Sequence, residues 1–171
     1  MLKENALLIA QLIQSVGGKL VGRIRLQKTL YVLQAAGLKS GLVYQYYHYG
    51  PYCEEVASAA DYGAAIGLFN EKEINTEWGT TYSVYTITDK NTPNILSEEF
   101  IQLAREAINS SSVVLELAAT ALYLHKEEHI QNAWEETAIR KPQKAKDGRI
   151  ESAKSLYKKF MQICPQLPNI S

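Results

Sequence analysis

Residues 44 to 69 carry the pattern that most constrains the fold, because strand, turn and helix signals follow one another there without a gap. Residues 44 to 49 include four tyrosines, and aromatic side chains pack well on a half-buried strand. Gly50 and Pro51 interrupt this strand, and Pro51 suits the first turn of a helix because its φ is already helical. That helix should be a packing hub that buries small or apolar residues at three-and-four spacing: Cys53, Val56, Ala57, Ala60 and Ala64.

The rest of the N-terminal half predicts two further helices and a hairpin. Apolar residues recur every three or four positions in residues 2 to 16, and a Gly-Gly pair ends that helix. A second helix is expected at about residues 25 to 36. Residues 69 to 88 predict a hairpin, because the second arm alternates as a strand does. Three helices followed by a hairpin are the elements of a winged helix, so we predict a winged-helix-like region over residues 1 to 89.

Beyond Pro93 the pattern becomes helical, and the best boundary lies at residues 90 to 97. Ser97 and Asp147 are plausible N-caps for the first and last helices of this half. We expect helices at about residues 97–108, 113–124, 128–140 and 148–164. The fold class is therefore α+β and mostly helical, with a small antiparallel sheet in the N-terminal half. The helical region, residues 94 to 171, should pack on that half as one compact domain.

Charge and cysteine usage narrow the function classes. The 18 basic and 18 acidic residues cancel, which removes the usual argument for non-specific nucleic-acid binding. The two cysteines have no metal-binding spacing, as expected for a reduced, intracellular protein. Residues 1 to 16 lack the features of a signal peptide, and the most apolar run, residues 113 to 124, is shorter than the roughly 20 residues that span a bilayer. We expect a cytoplasmic protein without membrane contact.

Several motifs, in this order, resemble a known family. They are GRIRLQKTLY at 22–31, YYHYGPY at 46–52 and IGLF at 66–69, with weaker landmarks at 117–120 and 141–142. They resemble the Panacea-domain, or SocA-like, antitoxin family and its uncharacterised bacterial YwgA-like relatives. The resemblance covers most of the chain. It implies a mostly helical domain with a small sheet. In the members with a known role, it implies binding and neutralising a toxin protein or delivering it for degradation.

The reactive side chains do not form a recognisable catalytic pattern. His125 and His129 lie one helical turn apart, but the residues between them do not match the His-Glu-x-x-His arrangement, so surface histidines are the simpler interpretation. Cys53 lies near a helix start, where a thiol pKa can fall, but burial on the small-residue stripe is the better explanation. No phosphate-binding glycine loop or serine nucleophile elbow is present. We expect a binding protein without catalytic residues, metal or cofactor.

The tyrosines of residues 44 to 52 have two interpretations. They can form a stacking platform for single-stranded nucleic acid, since every base has an aromatic face. They can also contact a protein or pack in the core. Such platforms normally lie in a basic groove, and His48 is the only basic residue near them in sequence. Protein contact or core packing is therefore favoured.

We predict that the turn after the tyrosine run and the exposed face of the third helix bind a protein partner, such as a toxin encoded nearby. Rigid aromatic and charged anchors dominate such interfaces, and Gly50 and Pro51 limit the ordering cost. The predicted contact residues are Tyr49, Tyr52, Glu54, Glu55, Ser58, Asp61 and Tyr62. The alternative is a winged-helix DNA-binding transcriptional regulator. Three carboxylates on the outward face of the third helix argue against it, because they would meet phosphates.

Two basic groups remain open to interpretation. Arg23, Arg25 and Lys28 lie at the start of the second helix, where they oppose the dipole. They contact either an anion or partner, or the carboxylates of Glu54 and Glu55 within the chain. A second group lies between the last two helices: Arg140, Lys141, Lys144, Lys146 and Arg149. It is either a solvated loop or a site that attracts an acidic partner or a phosphate backbone.

Overall fold

Seven α-helices and five short strands make up the structure, a computed structural model that describes residues 1–171. The N-terminal half contains α1 (Leu2–Ser15), β1 (Lys19–Val21), α2 (Arg23–Ala35), β2 (Gln45–Tyr47), β3 (Gly50–Tyr52), α3 (Glu54–Ala65), β4 (Phe69–Asn75) and β5 (Thr81–Ile87). The C-terminal half contains α4 (Glu98–Asn109), α5 (Ser112–Lys126), α6 (Ala133–Arg140) and α7 (Arg149–Ile163). The predicted α+β, mostly helical class is confirmed.

The strands form two small antiparallel sheets. The first has the order β1-β5-β4, in which Leu20 lies opposite Tyr85 and Phe69 lies opposite Ile87. The predicted hairpin over residues 69 to 88 is therefore present. The second sheet consists of β2 and β3 alone. Because it joins the tyrosine run to the start of α3, this second hairpin positions most of the candidate site.

Helix α5 lies at the centre of the C-terminal half. Its ten consecutive residues from Leu115 to Leu124 are all buried, as the apolar run predicts. The Ser111 hydroxyl accepts a hydrogen bond from the Val114 N–H, and Ser97 caps α4 in the same way through Phe100, as expected of N-cap serines. Helix α5 packs against α2, α6, α7 and β3. One hydrophobic cluster of 39 buried residues therefore includes side chains from both halves of the chain.

The tyrosine-rich segment differs from its prediction in two respects. The strand expected over residues 44 to 49 covers only Gln45–Tyr47, and His48 and Tyr49 form a turn. Gly50, Pro51 and Tyr52 form β3, and α3 begins at Glu54. Side chains of α2 hold this segment extended: the Gln27 amide bonds both the N–H and the C=O of Cys53, at 3.0 and 2.9 Å. Pro51 is tolerated there because an edge strand of a two-stranded sheet does not need its N–H. The interpretation of Pro51 as a helix start was therefore wrong.

Three smaller expectations also need correction. On α3 the buried positions are Val56, Ala59, Ala60 and Gly63, whereas Ala57 and Ala64 are partly exposed. Helix α6 begins at Ala133, five residues later than expected, because the chain turns at His129 with φ of 57°. The N-cap of α7 is Gly148 rather than Asp147, since the chain enters this helix through left-handed conformations at both residues.

Candidate functional site

The β2–β3 hairpin rests on polar side chains from the protein interior. The buried Lys28 ammonium donates to the Pro51 carbonyl oxygen at 2.7 Å, and Lys141 donates to the His48 carbonyl oxygen at 2.8 Å. Gly50, at φ +82°, lies against the Thr120 side chain, where no Cβ would fit. The turn that carries Tyr49 is therefore fixed by contacts with α2, α5 and the segment after α6.

A buried ionic cluster underlies this turn. The Glu116 carboxylate accepts from Lys141 at 2.8 Å and from Lys144 at 2.7 Å. The Glu116 and Lys141 side chains are only 2% and 5% exposed, whereas Lys144 reaches the surface at 31%. Burial lowers the pKa of Lys28 to about 7. The Glu116 carboxylate opposes this shift, while Lys141 and Lys144 reinforce it. Three lysines thus share the field of one carboxylate.

A groove of about 560 Å³ lies on one side of the hairpin, between α1, residues 43 to 47 and the start of α3. We call it the acidic groove because Glu54 and Glu55 line it. Its floor exposes Leu2, Val43 and Tyr47, three apolar side chains that are 44%, 64% and 52% accessible. Glu54 and Glu55 form its rim, and neither carboxylate pairs with a cation. An exposed apolar floor with unpaired carboxylates suits a partner that carries both apolar and basic groups.

The predicted partner-binding residues separate into three places. Tyr52, Glu54, Glu55 and Ser58 line the acidic groove together. Tyr49 is exposed, and the Lys144 ammonium lies 4.4 Å from its ring centroid. The other two lie further along α3: Asp61 forms an ion pair with Arg23 at 2.9 Å, and Tyr62 packs partly against the core.

The predicted basic patch on α2 does not form as a unit. Arg23 pairs with Asp61 at 2.9 Å and with Glu71 at 2.7 Å, and not with Glu54 or Glu55. Arg25 donates to the carbonyl oxygens of Ser110 and Val21. Lys28 is 1% exposed and points to the hairpin from within the core. The patch prediction was wrong for Lys28, because α2 is surrounded by packed elements from Leu26 onward.

The sequence did not indicate that the β2–β3 hairpin contacts the basic segment at the end of α6. The Arg140 guanidinium lies 5.0 Å from the Tyr46 ring centroid, and Lys141 Nζ lies 5.8 Å from it. The Lys141–His48 hydrogen bond joins residues 93 positions apart. The one available signal was Glu116, an acid inside an apolar helix, since a buried carboxylate needs cations beside it.

Both cysteine side chains are buried free thiols. Burial raises the pKa of Cys53 to about 11 and that of Cys164 to about 12, so both are thiols at neutral pH. The Cys53 thiol donates to the Glu55 carboxylate at 3.0 Å, which lowers the pKa of Glu55. No three His, Cys, Asp or Glu side chains cluster as metal ligands would.

Comparison with known proteins gives a distant relative and no family assignment. No protein-family model matches the chain. The chain is similar to the uncharacterised protein YwgA of Bacillus subtilis (strain 168), with 27% identity over 169 residues, covering 96% of this chain and 100% of that protein. This similarity supports the YwgA-like part of the sequence resemblance. None of the helices has the length and apolar character needed to cross a membrane.

Proposed function

We propose that the protein is a non-enzymatic, cytoplasmic protein-binding module, similar in role to antitoxins of the Panacea-domain group that neutralise a toxin protein. The acidic groove carries the proposal. Its exposed floor of Leu2, Val43 and Tyr47 lies beside the unpaired carboxylates of Glu54 and Glu55. A partner segment could insert an apolar side chain and present lysine or arginine to the rim. It would then bury the exposed floor and neutralise the two carboxylates.

The rigidity of the hairpin supports this proposal. Binding surfaces lose less entropy on association when their backbone is already fixed. Tyr52 donates to Glu54 at 3.1 Å, and Cys53 is held by Gln27, so the base of the groove is ordered without a partner. Tyr47 and Tyr52 also pack together, with ring centroids 5.2 Å apart. These aromatic side chains therefore meet a partner in one arrangement.

Duplex DNA reading is the second candidate, because the element and strand order favours it. With the β2–β3 hairpin between α2 and α3 set aside, the order α1-β1-α2-α3-β4-β5, with β1 beside β5, resembles that of a winged helix. In such a fold α3 would enter the major groove. However, Glu54, Glu55 and Asp61 are exposed on α3, and they would face phosphates. We propose that a winged-helix-like region has here been adapted to contact protein through this helix.

Co-expression with the product of the adjacent gene tests the proposal. The full chain should co-purify with that product, and a Tyr52→Ala, Glu55→Lys variant should lose it, because the anchor and the rim charge are removed. Glu77→Lys, an exposed acid in the β4–β5 turn, is the matched control and should retain the partner. No partner for the wild type, or equal retention by the folded double variant, would contradict the proposal.

A gel shift separates the two candidates. The full chain is mixed with its flanking genomic DNA at moderate salt, where weak non-specific binding is suppressed. We expect no sequence-specific shift. A specific shift that Glu55→Lys leaves or strengthens would favour the regulator and contradict a role of α3 in protein contact.

A further inference from the structure

A second cleft at the β2–β3 hairpin, which shares Tyr47 with the acidic groove, combines tyrosines with basic side chains. This cleft of about 430 Å³ is lined by Tyr46, Tyr47, His48, Arg140 and Lys141. Lys144 shares the Glu116 carboxylate with Lys141 of this cleft, and its ammonium lies over the Tyr49 ring, 4.4 Å from the centroid. We call this region the tyrosine–lysine cleft. It brings together the aromatic run and the basic segment that lie far apart in sequence.

We propose that the tyrosine–lysine cleft binds a nucleotide unit, with a base stacked on an exposed tyrosine and its phosphate on lysine. Tyr47 packs against Tyr52 and Tyr49 lies under Lys144, but the two side chains remain 52% and 53% accessible, so about half of each is open to a base. Base stacking on aromatic rings beside a basic groove is the usual way in which proteins bind single-stranded nucleic acid. Tyr47 also lines the acidic groove, whereas Tyr49 and Lys144 do not, so a site at Tyr49 does not depend on that groove or its partner.

The charges of the cleft indicate where a phosphate would bind. Arg140 is already neutralised, since it pairs with Glu128 at 2.8 Å and with Glu136 at 2.7 Å. Lys141 and Lys144 share the single carboxylate of Glu116, which is buried behind them. Lys144 is the more exposed of the two and lies beside Tyr49. The phosphate position is therefore at Lys144, because two ammonium groups share one carboxylate there and Lys144 is the one that reaches solvent.

Aromatic exposure favours a nucleotide over an acidic peptide. A chain of carboxylates would use the ammonium groups but leave the free faces of Tyr47 and Tyr49 in water. A base with a phosphate uses both features within one unit. Duplex DNA would use the charges alone, because its bases are not free to stack on a side chain. We therefore expect the cleft to prefer single-stranded nucleic acid over an acidic peptide and over duplex DNA.

Fluorescence anisotropy with the full chain tests this preference. The probes are fluorescein-labelled oligothymidine and oligouridine of about eight nucleotides, at about 50 and 200 mM salt. We expect binding that weakens with salt. Unlabelled thymidine or uridine monophosphate, added as competitors, distinguish a strand-binding site from a mononucleotide site, and displacement by either form supports a nucleotide site. The absence of binding by strands and mononucleotides up to about 100 μM at the lower salt would overturn the proposal.

Variants locate the site. Tyr49→Ala should weaken binding at least about tenfold, and Lys144→Gln should weaken it and reduce the salt slope by about 0.7. The matched controls are Tyr82→Ala, an exposed tyrosine on β5, and Lys159→Gln, an exposed lysine paired with Glu106. Both controls should bind as wild type does. Circular dichroism establishes that each variant is folded. Unchanged binding by folded Tyr49→Ala, or displacement by a duplex or a decaglutamate peptide as effective as by the single strand, would refute a stacking site.

Discussion

Replacing Glu116 by glutamine is the most informative perturbation of the hairpin's support. The substitution keeps the shape of the side chain but leaves Lys141 and Lys144 without a carboxylate. Breaking a buried ion pair on one side costs about 3–5 kcal/mol, because a buried charge then lacks a partner. The Lys141 pair belongs to this class. The Lys144 pair is partly solvated and adds little. We expect Glu116→Gln to lower the free energy of unfolding by about 3 kcal/mol.

Urea unfolding followed by circular dichroism measures this loss, since the helices dominate the signal. Glu106→Gln is the matched control, because its pair with Lys159 is exposed and should contribute at most about 1 kcal/mol. The double variant Glu116→Gln, Lys141→Met should recover much of the stability, since it removes the buried cation together with its partner. A loss for Glu116→Gln no larger than that of the control would refute the assignment of a buried, energetically coupled cluster.

Three further outcomes follow from buried groups elsewhere in the structure. Because the pKa of Lys28 falls from 10.5 to about 7 on folding, the unfolded chain binds more protons between these values. The free energy of unfolding should therefore rise from pH 7 to 9 in urea titrations of the wild type, and Lys28→Met should lack that component. Gly63→Ala should lower the thermal midpoint, since its Cβ would lie 2.5 Å from the Phe69 ring, and Phe69→Leu in the same chain should reduce the penalty. Ala60→Glu should prevent folding, as judged by circular dichroism, because it buries an unpaired carboxylate.

Local patterns explain the elements that were predicted correctly. The helices α1, α4 and α5 follow from apolar periodicity, serine caps and a Gly-Gly stop, all of which act within a few residues. The β4–β5 hairpin follows from alternation in its second arm. In contrast, Pro51 has the same local preferences in a strand edge as in a helix start. Hydrogen bonds from Gln27 and Lys28 hold Pro51 in the strand, and these residues lie more than 20 positions earlier in the chain.

The candidate site was partly predictable for the same reason. Tyr52, Glu54, Glu55 and Ser58 are close in sequence, and they line one groove in the structure. The floor of that groove was not predictable, since Leu2 and Val43 come from other segments. The tyrosine–lysine cleft was missed because its basic side chains follow the tyrosines by about ninety positions. No cation other than His48 lies near the tyrosines in sequence, whereas in the fold Arg140, Lys141 and Lys144 lie beside them.

The β2–β3 hairpin, which contributes residues to both clefts, is stabilised by side chains from the protein interior. A two-stranded sheet with three residues in each strand is not stable alone, so its geometry comes from what holds it. Lys28 and Lys141 bond its carbonyl oxygens, and Thr120 excludes any side chain at Gly50. A chain that shared the tyrosine motif but lacked these three contacts would therefore not present the same surface. The interior polar residues, more than the exposed tyrosines, determine whether a relative has the same two clefts.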